Sequence, residues 1–229
     1  LRNYVSAARY YRMAAGPQAG PRRYTALARL FETAVRLQDF QGLQEFESMA
    51  AAPSEGTPEV WYAYGRFLYH RGDRMRALTQ FGRIPAEAPG YARARYFMGA
   101  IQTASHRLDA ALATFTMAAG VTPSSDVDRE IQGLAVLARA RVLHELERYQ
   151  EAIAVLQEVP GKTQAYLDSL FDTAWTFVKL GELEKATHAL NMLLMVVADG
   201  RLAMKASALR GRILARLGDV DAAAETYRE

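Results

Sequence analysis

Small side chains recur along this chain at a fixed interval. Ala77 and Ala111 are 34 residues apart, as are Ala152 and Ala186, and Leu43 precedes Ala77 by the same distance. The step from Ala111 to Ala152 is 41 and that from Ala186 to Ala223 is 37, so two connections carry short insertions. A second series keeps its own phase: Phe31, Gly65, Gly99, Ala140, Ala174 and Gly211, of which only the first is large. Around these positions large apolar residues fall at helical spacing, as in Trp61, Tyr64 and Leu68 and then Phe81, with charged or amide side chains between them. Turn signals separate the two series: Gly72-Asp73, Glu147-Arg148-Tyr149, Gly181-Glu182-Leu183 and Gly218-Asp219-Val220. The pattern predicts pairs of antiparallel helices, A and B, joined by tight turns. The small residues let A and B approach closely, and the large ones fill the space around that contact.

With Trp61 as position 4 of a 34-residue unit, Tyr64, Gly65, Leu68, Gly72, Asp73, Ala77, Phe81 and Pro89 fall at 7, 8, 11, 15, 16, 20, 24 and 32. Glycine at 15 can take the left-handed conformation that ends helix A. Six hairpins are expected, at about 23–52, 57–88, 91–121, 132–161, 166–197 and 203–229. The first is the most degenerate, with Phe31 and Leu43 at the two small positions. Residues 1–16 carry Ala7, Tyr11 and Ala14 at the spacing of a helix B and predict the second half of an earlier hairpin. Gly16-Pro17 and Gly20-Pro21 then break the chain. The segment Val121 to Asp128 is expected to be a connector, with Ser125 or Asp126 capping the next helix. One hairpin cannot bury its apolar face alone, so neighbours must stack. Neither end shows a polar capping helix, and the sixth unit stops inside its second helix. The sequence is therefore expected to be a stretch of a longer array.

The unit around Trp61 resembles the tetratricopeptide repeat (TPR), including the small residues at 8 and 20. The resemblance implies an all-α, right-handed α-solenoid of about six hairpins plus the leading half-repeat. Pentatricopeptide repeats of similar length lack this Trp/Gly/Ala/Phe spacing, and HEAT and armadillo units are longer.

Composition narrows the function. Half of the 229 residues are hydrophobic and 23% are charged, which suits a globular core. No apolar run reaches 18 residues, so no membrane insertion is expected. The net charge is only +3, and the basic residues are scattered rather than clustered, which argues against nucleic acid as a partner. There is no Cys, which excludes disulfides and thiolate chemistry. His70, His106, His144 and His188 lack metal-ligand spacing, and phosphate-binding and nucleophile motifs are absent. No enzyme activity, cofactor or metal is expected.

In tetratricopeptide arrays the A helices line a concave groove through positions 2, 5, 9, 12 and 13. Carried onto this chain, that implies Tyr62, Arg66, Tyr69 and His70 in the second unit. The third offers Tyr96, with Arg93 and Thr103. The fourth offers Arg141 and His144, with Leu137 and Glu145. The fifth offers Phe171, Trp175 and Lys179, with Asp168 and Val178. The sixth offers Arg212, with Lys205 and Arg216. Tyr, Trp and Arg are the residue types enriched at binding hot spots. Tyr62, Tyr69 and Tyr96 are equally suited to packing against the neighbouring hairpin. Trp175 stands out, because position 9 needs no large residue for packing. The chaperone-binding subclass uses Lys and Asn at set groove positions. The only Asn residues here are Asn3 and Asn191, and Arg66, Arg141 and Arg212 occupy position 9, so that subclass is not expected.

The resemblance thus implies a protein-interaction scaffold that binds a peptide or helix of a partner. Two alternatives stay open. One is a structural part of a bacterial cell-envelope assembly, such as outer-membrane, Tol-Pal-like or gliding-motility machinery. It draws on Asp172-Thr173-Ala174-Trp175 and Gly181 to Ala186, and favours an envelope location. The other is a regulatory arm of a larger enzyme or transcription factor. Self-association through exposed solenoid ends is a further expectation.

Overall fold

The computed structural model describes residues 2–16, 20–52, 56–197 and 199–227. Leu1, Pro17 and Glu229, on which the expected half-repeat, break and terminus fall, lie outside the described residues. The described residues form thirteen α-helices and one short 3₁₀ turn, with no strand among them. They divide into two compact units, Leu1–Arg107 and Leu108–Glu229. The boundary falls inside the third predicted hairpin.

The first unit holds α1 (Arg2–Ala14), α2 (Arg23–Leu37), α3 (Gln44–Ala51), α4 (Pro58–Arg71), α5 (Arg74–Gly82) and α6 (Tyr91–Ala104). The α4–α5 pair shows how the sequence dictates the hairpin. Thr57 caps α4 by accepting from the Val60 N–H at 3.4 Å, and Pro58 occupies the first turn, where its missing N–H costs nothing. Gly72 ends α4 at φ 96°, a left-handed conformation that glycine adopts without strain. Asp73 then caps α5 through the Arg76 N–H. Ala77 is fully buried, and a Cβ on Gly65 would lie 2.7 Å from the Phe81 ring. Both small positions therefore sit where the two helices meet.

The first hairpin departs from this geometry for a visible reason. Phe31 and Leu43 are both buried, and the Phe31 ring packs on Tyr64 at 4.9 Å and Phe67 at 5.0 Å, both in α4. Two large side chains replace the small ones, and α3 lies more closely along α4 than along α2. A polar network ties α3 to α4 and α5. Glu47 accepts from Arg71 Nη1 at 2.6 Å and Nη2 at 3.0 Å, and from the Tyr64 hydroxyl at 3.2 Å. Arg76 donates to the Tyr64 oxygen. Burial and the Glu47 charge push the Tyr64 phenol up to about 12.

The second unit holds α7 (Leu108–Ala119), α8 (Asp126–Glu145), α9 (Tyr149–Leu156), α10 (Gln164–Leu180), α11 (Leu183–Val196), α12 (Arg201–Arg216) and α13 (Val220–Thr226). Helix α8 starts at Asp126, ahead of the hairpin expected at 132–161, and Ser125, one of the two expected caps, accepts from the Asp128 N–H at 3.1 Å. The longer α8 absorbs part of the insertion. Ala111, Ala152 and Ala186 are 0% exposed and Ala223 is 4%. Ala140 and Ala174, at the other small position, are buried too. Gly181 and Gly218 end α10 and α12 region turns in the left-handed conformation, at φ 78° and 86°, and Glu147 does so at φ 60° after α8.

Candidate partner-binding site

The predicted groove residues fall into two groups, one in each unit. In the first unit they sit on α4 and α6 and pack chiefly on Phe81 and Phe97. Tyr62 lies 6.1 Å from Phe81 and 6.3 Å from Phe97, and Tyr69 lies 5.1 Å from Phe97. Phe81 and Phe97 stack at 5.5 Å. The Arg66 guanidinium covers Tyr62 and Phe97 at 5.9 and 5.8 Å, within cation–π range. Burial pushes the Tyr62 phenol up, against the pull of Arg66 and Arg93. His70 is exposed and edge-on to Tyr69 at 5.4 Å, and its imidazole is pushed down by burial and by Arg66. Tyr96 lies 6.1 Å from Phe97. Thr103 donates its hydroxyl to the Gly99 carbonyl.

In the second unit the A helices α8 and α10 come together around a pocket of about 190 Å³. Its lining is Ala140, Arg141 and His144 from α8, Leu156 from α9, and Asp172, Trp175 and Thr176 from α10. Arg141 Nε donates to Asp172 Oδ2 at 2.5 Å, and Arg141 Nη2 lies 3.9 Å from Asp168 Oδ2. Burial pushes the Asp172 carboxyl up although Arg141 pulls it down. His144 lies edge-on to Tyr149 at 5.1 Å, and burial, then the Lys179 charge, pushes its imidazole down. Trp175 is 38% exposed, with Lys179 Nζ 6.0 Å from its ring.

Three predicted residues thus line one pocket, Arg141, His144 and Trp175, and Lys179 flanks it. Phe171 and Val178 instead pack on the apolar core of α10–α12. Leu137 is buried and does not face a groove. Arg212, Lys205 and Arg216 are exposed, as is Glu145.

Asp172 was not among the predicted site residues, yet it decides the electrostatics. It occupies position 6 of its repeat, and the position-9 residue of the preceding A helix reaches it. Arg66 over Phe97 is the same 9-to-6 relation in the first unit. That relation depends on how consecutive A helices stack, so the one sequence signal was the pairing of an Arg at 9 with an Asp at 6 a repeat later.

A tetratricopeptide-repeat family model matches residues 171–229. That stretch carries tetratricopeptide-repeat sequence. Solved structures share the fold at low identity. MamA residues 41 to the end, from Desulfovibrio magneticus RS-1, is 17% identical, covers 75% of this chain and 91% of its own, and has a TM-score of 0.60. The C-terminal part of a TPR repeat-containing protein from Cytophaga hutchinsonii is 13% identical, covers 98% and 89%, and has a TM-score of 0.72. The Rap conjugation gene regulator of the plasmid pLS20, solved in complex with the Phr* peptide, is 13% identical, covers 99% and 72%, and has a TM-score of 0.53. Comparison with curated protein sequences gives no match. Among the described residues no helix is long and apolar enough to cross a membrane, and no group of three or more His, Asp or Glu is arranged to hold a metal ion.

Proposed function

We propose that this TPR chain holds an extended segment of a partner protein along α8 and α10, with one side chain seated in the pocket beside Trp175. The carrying observation is Trp175 itself. It stands at a repeat position where packing asks for no large side chain, 38% exposed on the wall of a pocket. Aromatic side chains placed this way supply large rigid contact area at low entropic cost. The pLS20 Rap regulator, a structural neighbour, is itself peptide-bound. The first-unit aromatics contribute less to this reading, because Tyr62 and Tyr69 already pack against Phe97. The groove is also less basic than its sequence, since Arg141 is neutralised by Asp172.

Peptides selected from a random displayed library on this chain test the reading. Trp175→Ala should weaken their binding at least tenfold with the melting temperature unchanged, whereas Arg74→Ala on the exposed side of α5 should leave it intact. Selected peptides indifferent to Trp175→Ala would reject the site.

A further inference from the structure

The charge on α12 runs against the habit of the rest of the chain. The whole chain has a net charge of +3, yet α12 alone holds Arg201, Lys205, Arg210, Arg212 and Arg216 and no Asp or Glu. All of these but Arg210 are exposed. At 3.6 residues per turn the exposed four fall within about 60° of one another, in a ridge about 22 Å long. The gap between Lys205 and Arg212 is bridged by the exposed Ala208. Basic residues scattered through the sequence are thus gathered by the helix onto one face.

Elsewhere, exposed cations find an acid three residues away, as Arg29 does in Glu32, Arg148 in Glu151 and Lys185 in Glu182. Among the described residues no carboxylate forms an ion pair with the α12 ridge. Acids of the neighbouring elements are committed: Asp168 and Asp172 of α10 lie at Arg141, and Asp219 caps α13 by accepting from the Ala222 N–H at 3.1 Å. Arg201 with Lys205, and Arg212 with Arg216, are like-charge pairs four residues apart, which destabilises a helix. An anionic occupant would remove that repulsion.

The place of the ridge favours a polypeptide as the occupant. Lys205, Arg212 and Arg216 each lie 37 residues after Asp168, Trp175 and Lys179 of α10, so they hold the same repeat positions on the next A helix. Phe171 and Val178 of α10 pack into the same apolar core as Ala206, Leu209 and Ile213 of α12. A segment lying along α8 and α10 reaches the ridge by continuing over the next A helix. Nucleic acid fits less well, because α12 has no aromatic ring on which a base could stack. Resting on the reading that a partner's segment occupies the Trp175 site, we infer that the same segment carries a run of Asp or Glu that lies on the α12 ridge and neutralises it.

Fluorescence anisotropy with labelled hexaglutamate at low ionic strength tests the ridge by itself, and library-selected peptides test its link to Trp175. Hexaglutamate should bind saturably, weaken with added salt, and lose about tenfold in affinity in the double variant Lys205→Gln, Arg212→Gln. Lys205→Arg, Arg212→Lys keeps the charge and should bind as wild type does. Arg29→Gln, Arg148→Gln removes the same charge from paired sites and should also bind as wild type. Circular dichroism checks that each variant is folded. Selected peptides that need Trp175 should carry acidic residues and weaken in the first variant. Hexaglutamate binding unchanged by that variant would overturn the inference, as would an equal loss in the Arg29, Arg148 variant. So would tighter binding of hexathymidylate or of phosphatidylglycerol vesicles that the first variant abolishes. Selected peptides that need Trp175 but ignore the Lys205, Arg212 substitutions would overturn the acidic run and leave the Trp175 site standing. The absence of any Trp175-dependent peptide would overturn both.

Discussion

A Cβ built on Gly65 would stand 2.7 Å from the ring of Phe81. The same pair of repeat positions recurs at the other end of the chain, where a Cβ on Gly211 would stand 2.6 Å from the ring of Tyr227. In these two hairpins an aromatic ring, from helix B at Phe81 and from the residue just after it at Tyr227, lies directly on the backbone of helix A. The surroundings differ. Phe81 is buried and stacked on Phe97, whereas Tyr227 is 58% exposed.

That difference predicts opposite outcomes for one substitution. Gly65→Ala gains about 1 kcal/mol of helix propensity but forces a ring that cannot retreat, costing roughly 1–3 kcal/mol or more. It should lower stability in urea unfolding. Gly211→Ala meets a ring free to swing outward and should be neutral or slightly stabilising. Equal effects at the two sites would show that ring freedom does not decide the cost.

The turns supply a second pair. Gly72 and Glu147 end corresponding A helices, at φ 96° and 60°. Gly72→Ala places a Cβ in the left-handed region and should cost about 1 kcal/mol, while Glu147→Gly relieves it and should stabilise by up to about 1 kcal/mol. Thermal melts of both variants check the sign.

High pH should loosen the first unit. The Tyr64 phenol is raised to about 12 from an ordinary value of 10.0. Its neutral form is favoured in the fold, so the associated stability is intact below pH 10 and is lost as pH rises toward 12. The raised value corresponds to roughly 2–3 kcal/mol at most. Tyr64→Phe should be less stable at neutral pH, through the lost hydrogen bonds to Glu47 and Arg76, and should show a flatter alkaline decline.

Mild acid acts in the other direction. Burial lowers the His70 and His144 imidazoles below their usual 6.5. A depressed imidazole contributes stability above pH 6.5 that is lost as pH falls below it. The double variant His70→Gln, His144→Gln should hold its melting temperature better than wild type just below pH 6.5. Identical profiles would contradict the lowering of these two imidazoles.

Much of this architecture was legible in the chain. Ala77, Ala111, Ala152 and Ala186 fell at one phase and are all buried, because close helix approach tolerates only small side chains there. The helix starts were less legible. The sequence offers Ser125 or Asp126 as the cap of α8, and Ser125 takes that role, although the repeat pattern itself begins well inside the helix. The candidate site was legible in part. Trp175 stood out by violating a packing rule, whereas Asp172 did not, since its meaning comes from Arg141 on another helix. Tyr62 and Tyr69 show the reverse. Their spacing suited both a groove and a packed face, and Phe97, which supplies the packing, lies on the next A helix.

The central claim is that a partner's segment lies on α8 and α10. Mapping the contacts of a library-selected peptide by nuclear magnetic resonance tests it most directly. The account predicts that the largest shifts fall on the Trp175 indole N–H, the His144 ring and the backbone of α8 and α10. Shifts confined to other helices, with these signals unmoved at saturating peptide, would contradict it.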